Sequence, residues 1–244
     1  MSGAVLLTGA SGDIGRAALH AFRARGLDVV SLDREPLPAP ESELVAHHLA
    51  VDLNDDEAVG TALDGVDVRV RHVVAVAGGG DLEELSQDDP ATAPLDVFSR
   101  AVANNLHVAF TTIRHAVPSM RRLDGERCIV LVGSINAYGG YGAPGYSAAK
   151  AGLSGLAAAL ATPLGAEGIR INCLALGTVD TQNLRKLDEA RSRTLDLDAI
   201  ASRAPLGRVL TPADVASALA AMTLDMPGLT GTTIVLDNGQ TLIR

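Results

Sequence analysis

The sequence predicts an α/β fold, a doubly wound parallel sheet of about seven strands with helices on both faces, built from residues 1–244 as a single domain. Three observations predict it. Short apolar runs alternate with longer helical patterns along the whole chain. The apolar runs lack the polar–apolar alternation of half-exposed strands, which suits a sheet covered on both faces. A glycine-rich turn separates the first apolar run from the first helix, as in nucleotide-binding βαβ units.

Ala4–Thr8 reads as the first strand, followed by the glycine turn and a helix from about Ile14 to Arg25, which Gly26 stops as a C-cap glycine. Asp28–Asp33 is the second strand, Val45–Asp52 the third and Arg71–Ala77 the fourth. A long helix is predicted over Leu95–Met120, a fifth strand over Arg127–Gly133, a helix over Tyr146–Leu164 and a sixth strand over Arg170–Leu176. A helix at Pro212–Ala221 and a last strand at Thr233–Leu236 complete the pattern. Arg34–Glu43, with Pro36, Pro38 and Pro40, is a loop. Gly79–Pro94 and Asp180–Arg203 read as irregular polar segments after strand ends, where a doubly wound sheet binds its ligands, and are expected to shape the substrate pocket. Glu83-Glu84 and Asp88-Asp89 read as solvated loop surface.

The bulk numbers narrow the function. With 47% hydrophobic and 20% charged residues the chain carries a large core. A formal net charge of −9 speaks against nucleic acid or an anionic membrane as partner, because both demand clustered positive charge. Cys128 and Cys173 each sit inside an apolar run and read as buried, reduced thiols. The six histidines form no metal-ligand spacing, and no Gly-Xaa-Ser-Xaa-Gly elbow exists. No apolar run reaches the ~20 residues of a membrane span. The first residues enter a strand pattern without a signal-peptide charge region, so a cytoplasmic enzyme is expected.

Thr8-Gly9-Ala10-Ser11-Gly12-Asp13-Ile14-Gly15 lies between predicted strand and helix. Glycines there let the backbone approach a pyrophosphate, and the helix N-terminus offers free N–H groups and a positive dipole end. Asp33 ends the second strand eighteen residues after Gly15, where a carboxylate accepts both ribose hydroxyls of NAD and repels the 2′-phosphate of NADP. Arg34 follows and leaves NADP as the alternative. Asp52-Leu53 and Ala77-Gly78-Gly79, at the next two strand ends, are expected to flank adenine and its ribose; a loop acid or helix N-cap is the other reading of Asp52.

Tyr146-Ser147-Ala148-Ala149-Lys150 puts a phenol and an ammonium on one helix face, one turn apart. With three tyrosines and two lysines in the chain, a chance spacing of four has a probability of about 0.025. Hydride transfer from an alcohol needs a base for the hydroxyl proton, and the reverse reaction needs an acid. Lowering a phenol by about three pKa units requires roughly 4 kcal/mol. One ammonium at about 5 Å supplies roughly 3 kcal/mol at an effective dielectric of 20, and an oxidised nicotinamide can add the rest.

These motifs, and the pattern along nearly the whole chain, resemble the short-chain dehydrogenase/reductase family in its short single-domain branch, which carries a Rossmann-type fold. The resemblance implies a ketoreductase-like activity, with hydride moving between the nicotinamide and a small alcohol or ketone. It implies Tyr146 as acid/base and Lys150 as both the lowering cation and the holder of the nicotinamide ribose. Ser134, at the end of the fifth strand, resembles the serine that hydrogen-bonds the reacting oxygen. Asn105 resembles the asparagine holding a water chain to the lysine, with Asn104 as the neighbouring choice. Gly177, Thr178, Val179 and Thr181 match the residues that grip the carboxamide. Pro205–Arg208 and Asp237–Gly239 resemble packing landmarks. A homodimer or homotetramer on the two long helices is implied as well.

The departures are specific. The usual middle glycine at 13 is Asp13, whose side chain is expected to turn outward while Gly12 gives the close approach. Ala75-Val76-Ala77-Gly78 stands for Asn-Asn-Ala-Gly, and Ala175-Leu176-Gly177 for the common Pro-Gly; the Ser134–Tyr146 spacing is one residue short. Two other functions are compatible with the scaffold, a non-catalytic dinucleotide-binding regulator and a lyase or epimerase. Substrate identity has no signature; few aromatics suggest an aliphatic pocket, with Tyr138 and Tyr141 as candidate aromatic walls.

Overall fold

Successive side chains of a strand point to opposite faces, and strands that are apolar at every position must be covered twice. The computed structural model, which describes residues 3–139, 143–190 and 196–242, shows that arrangement. Strands β1 (Ala4–Thr8), β2 (Val29–Asp33), β3 (His47–Ala50), β4 (Val70–Ala75), β5 (Arg127–Ser134), β6 (Ile169–Leu176) and β7 (Thr233–Leu236) form one sheet in the order β3-β2-β1-β4-β5-β6-β7. All pairings are parallel.

Helices α1 (Asp13–Ala24) and α9 (Pro212–Leu224) cover one face, where Leu19, Phe22, Val215 and Leu219 pack on Val5, Leu7, Val130 and Leu174. Helices α2 (Asp56–Asp64), α5 (Val108–Met120) and α6 (Pro144–Gly165) cover the other, where Ile113, Met120, Leu153 and Ala157 meet Leu6, Val73, Ile129 and Ile171. Each fully buried Leu or Ile contributes about 1.5–3 kcal/mol of transfer free energy, which makes the two-faced core the main source of stability. Cys128 and Cys173 are free and buried in it.

The remaining elements correct the sequence reading. The helix expected over Leu95–Met120 is α4 (Leu95–Val102), a π-helical turn (Ala103–His107) and α5. Asn105 Nδ2 donates to Ala101 O at 2.9 Å, so a side chain occupies the carbonyl that an α-helical N–H would use. The two segments expected to be irregular contain short helices: α3 (Leu82–Leu85), then α7 (Gln182–Ala190) and α8 (Leu197–Arg203). Asp81 and Asp196 cap α3 and α8 by accepting first-turn N–H groups, as Asp55 caps α2, an element the sequence reading lacked. Glu84 is not solvated surface but 3% exposed. The edge strand β3 pairs only over His47–Ala50, so the predicted run to Asp52 continues as a turn in which Asp52 accepts the Asn54 N–H. Asn238 Nδ2 donates to Arg208 O at 2.9 Å, which joins the two C-terminal landmarks to each other.

Strand order reverses between β1 and β4. The carboxyl ends of these neighbours diverge there into helices on opposite faces, which opens a crevice.

Candidate active site

The crevice is a continuous cleft of about 770 Å³ lined from the glycine turn to the start of α6. Gly9 turns the chain with φ +69° and lets Ala77 N approach to hydrogen-bond Thr8 Oγ1 at 3.1 Å. This threonine contact, with Asn105, braces the turn that lacks the usual asparagines. A Cβ on Gly15 would lie 2.0 Å from Gly9 O, so only glycine allows α1 to leave the strand this way. Gly12, the N-cap residue of α1, offers no side-chain cap, and a Cβ there would meet only Gly9 O at 3.6 Å. The positive end of a twelve-residue helix therefore faces the cleft at a residue without bulk.

Asp13 does turn aside. Its Oδ1 pairs with Arg16 Nη2 at 2.6 Å and its Oδ2 accepts the Gln182 N–H at 2.6 Å, so its charge is offset and spent on the mouth of the cleft. Asp33 Oδ2 accepts both the N–H of Ser11 at 3.0 Å and its hydroxyl at 2.6 Å, which fastens the end of β2 to the glycine turn. Asp33, Asp52 and Leu53 line the cleft on one side and Ala77, Gly78 and Gly79 on the other.

At the far end, Ser134 closes β5 and Tyr146 opens α6, with Lys150 one helical turn on; all three line the cleft. Lys150 is 4% exposed and its Nζ donates to Val132 O at 2.9 Å. It stands 5.5 Å from the centre of the Tyr146 ring. Burial lowers the Lys150 ammonium to about 8. Burial also pushes the Tyr146 phenol above its ordinary value, and the hydrogen bond with Ser134 draws it back. In the chain by itself, desolvation of the phenolate is the largest effect on Tyr146. Gly133 admits no side chain, since a Cβ would lie 2.7 Å from Cys173 Sγ, which leaves the hydroxyl to Ser134.

Among the expected catalytic and cofactor-binding residues Asn105 alone does not line the cleft. It is 1% exposed and sits behind Gly79, accepting that residue's N–H at 2.9 Å and donating to its carbonyl at 3.0 Å, while Asn104 lines the cleft instead. Gly177, Val179 and Thr181 line the wall after β6. Gln240, which the sequence reading missed, accepts the Thr178 N–H at 3.0 Å and holds that wall from the C-terminal end; no local motif marks it. Asn183, Leu184, Leu187 and Asp188 of α7 also line the cleft, and Asp188 Oδ2 is shielded with no hydrogen-bond partner among the described residues. Tyr138 is 54% exposed and is not part of the lining, while Tyr141 lies outside the described residues. Among the described residues no group of three or more His, Cys, Asp or Glu side chains could hold a metal ion, and no helix is long and apolar enough to cross a membrane.

A family model described as enoyl-(acyl carrier protein) reductase matches residues 9–241. The structure of an oxidoreductase of the short-chain dehydrogenase/reductase family from Burkholderia thailandensis superposes with a TM-score of 0.87 at 30% identity, covering 99% of this chain and 94% of its own. The chain belongs to the short-chain dehydrogenase/reductase family. This family member is also similar to an L-rhamnose 1-dehydrogenase (NAD(P)(+)) of a Sphingomonas strain, at 31% identity over 96% of this chain and 94% of the relative. A 3-oxoacyl-[acyl-carrier protein] reductase from Brucella melitensis, solved with bound NAD, superposes with a TM-score of 0.81 at 27% identity, covering 97% and 90% of the two chains. As a short-chain dehydrogenase/reductase the chain is an oxidoreductase of the NAD(P)-using type, acting on a small molecule.

Proposed function

We propose that the protein is an NAD-dependent oxidoreductase that interconverts a small alcohol and the corresponding ketone, with NADP as the less favoured cofactor. One observation carries this reading: a single cleft joins the uncapped N-terminus of α1 and the Asp33 carboxylate to Ser134, Tyr146 and Lys150.

The residues present fit a dinucleotide. The start of α1 suits a pyrophosphate, with Gly9, Ser11, Gly12, Ile14 and Gly15 around it. Asp33 suits ribose hydroxyls, and Asp52, Leu53, Ala77, Gly78 and Gly79 form the adenosine walls. Gly177, Val179 and Thr181 support the nicotinamide end. When bound, a nicotinamide would supply the hydride acceptor or donor.

Tyr146 takes the hydroxyl proton in oxidation and returns it in reduction, while Ser134 donates a hydrogen bond to the reacting oxygen. Lys150 holds the ribose and supplies positive charge beside the phenol. Asn105, by fixing Gly79 and the π turn, supports the path that refills the proton at Lys150. The shielded Asp188 oxygen and the NAD(P)-linked rhamnose dehydrogenase relative both support a substrate that carries further hydroxyl donors. The two helical runs Leu95–Met120 and Pro144–Gly165 support assembly as a homodimer or homotetramer, and the site works in the cytoplasm.

The test is a titration with NADH and NADPH by fluorescence, followed by a screen of sugars, polyols, simple alcohols and ketones for cofactor turnover, beside Tyr146→Phe. Turnover that is lost in Tyr146→Phe while NADH still binds supports the reading. Cofactor binding without turnover marks a regulator, and a product of unchanged redox level marks a lyase or epimerase.

A further inference from the structure

The first turn of α6 carries Tyr146 but has no cap of its own. Its N-cap residue, Ala143, sits at φ 26° with no side chain able to accept, and Pro144 follows. The next two N–H groups, of Gly145 and Tyr146, would otherwise be orphaned helix donors in a buried place. Both are taken by one carboxylate 61 and 62 residues upstream. Glu84 Oε1 accepts the Gly145 N–H, and the Tyr146 N–H lies 3.2 Å from Oε2 and 3.3 Å from Oε1.

Everything around this contact is built for it. Gly145 has no room for a side chain: a Cβ would lie 2.8 Å from Glu84 Oε1, 2.8 Å from Phe98 O and 3.0 Å from Ala101 Cβ. Glu84 itself is held on α3, whose N-cap Asp81 accepts the N–H groups of Glu83 at 2.9 Å and Glu84 at 3.1 Å. Arg100 of α4 then ties Asp81 Oδ2 at 2.8 Å and Glu83 Oε2 at 2.6 Å, which fixes α3 to the same helix that packs against Gly145. Burial raises the Glu84 carboxyl while the two N–H groups pull it back. A negative group at the positive end of a 22-residue helix is the favourable arrangement.

The geometry points to Glu84 as a positioning residue: it caps the catalytic helix from a distant segment and thereby sets the register of Tyr146 against Ser134 and the cleft. The segment from Gly79 to Glu84 is consequently pinned at both ends by the site, at Gly79 through Asn105 and at Glu84 through the Tyr146 backbone. Any displacement of this segment is transmitted to the phenol. Glu84 touches no reacting atom; it acts through Gly145 and Tyr146.

The inference rests on the oxidoreductase reading for its kinetic arm and stands apart from it for its structural arm. Glu84→Ala and Glu84→Gln are compared with the parent chain for turnover of the best substrate found in the screen, for NADH affinity, and for amide hydrogen exchange over residues 145–148. Glu84→Ala is expected to lower kcat 10- to 100-fold with KM and NADH affinity within about threefold, and to speed exchange at the start of α6. Glu84→Gln, which keeps an acceptor of the same shape, recovers most of kcat and protection. The proposal is overturned if Glu84→Ala leaves kcat within twofold, or if Gln is as damaging as Ala and NADH affinity falls in parallel with kcat, which marks a general packing role. If the parent chain turns over no substrate the oxidoreductase reading fails by itself, and unchanged exchange at residues 145–148 in Glu84→Ala then overturns the cap.

Discussion

Lys150 Nζ stands 5.5 Å from the centre of the Tyr146 ring, and donates to the carbonyl of Val132. The cation is thus pinned by the sheet beside the phenol. Tyr146→Phe is expected to lower kcat by about 10²-fold or more, the usual contribution of a positioned acid/base, with NADH affinity within threefold by fluorescence titration. In alcohol oxidation the rate is expected to climb with pH as the phenol ionises. Because burial already raises that phenol, removing the neighbouring charge in Lys150→Met moves the climb to higher pH, read from kcat–pH profiles.

Asp33 is the residue proposed to set the choice of cofactor. Its Oδ2 is bonded to Ser11 and held at the end of β2, where a 2′-phosphate would meet like charge. Asp33→Ala is expected to weaken NADH and to shift the NADH-to-NADPH affinity ratio toward NADPH by at least about tenfold, equivalent to 1.4 kcal/mol of lost repulsion and lost hydrogen bonding. Parallel titrations with the two cofactors check this.

Two glycines one turn apart separate stability from binding. Gly15→Ala places a Cβ 2.0 Å from a backbone oxygen, and is expected to cost more than about 3 kcal/mol or to prevent folding. Gly12→Ala meets only an ordinary contact at 3.6 Å, so it melts within a few degrees of the parent but binds NADH more weakly. Thermal melts and titrations of both variants decide it.

His72 lies in β4, 3% exposed, and burial, seconded by Arg71 and Arg170, lowers its pKa from 6.5 to about 4. The folded chain holds the imidazole neutral while the unfolded chain protonates it. Stability is therefore complete above pH 6.5 and declines as pH falls toward about 4, by about 3 kcal/mol at most from this group. Urea unfolding across that window should show the decline, and His72→Leu should flatten part of it.

Local chemistry was legible where one short stretch carries its own constraint. Asp33, Ser134, and the Tyr146–Lys150 pair each sit at a strand end or on one helix turn, and period and spacing place such residues without knowledge of the rest. The alternation of apolar runs determined the parallel sheet for the same reason, since a strand without a polar face must be covered twice. Tertiary structure alone decided which groups meet across distance. Glu83-Glu84 has the composition of a solvated loop, yet Glu84 is buried, where it accepts the N–H of a helix end 62 residues away. Asp13 reads as an intruder on a pyrophosphate site, yet Arg16 and the Gln182 N–H absorb its charge. Gln240 carries no motif, and its role follows only from the return of the C-terminal turn to Thr178. Lys150 and Tyr146 were placed by helical spacing, but their ionisation depends on desolvation by the sheet beneath and the loops above, a sum over the whole folded environment that no local pattern encodes.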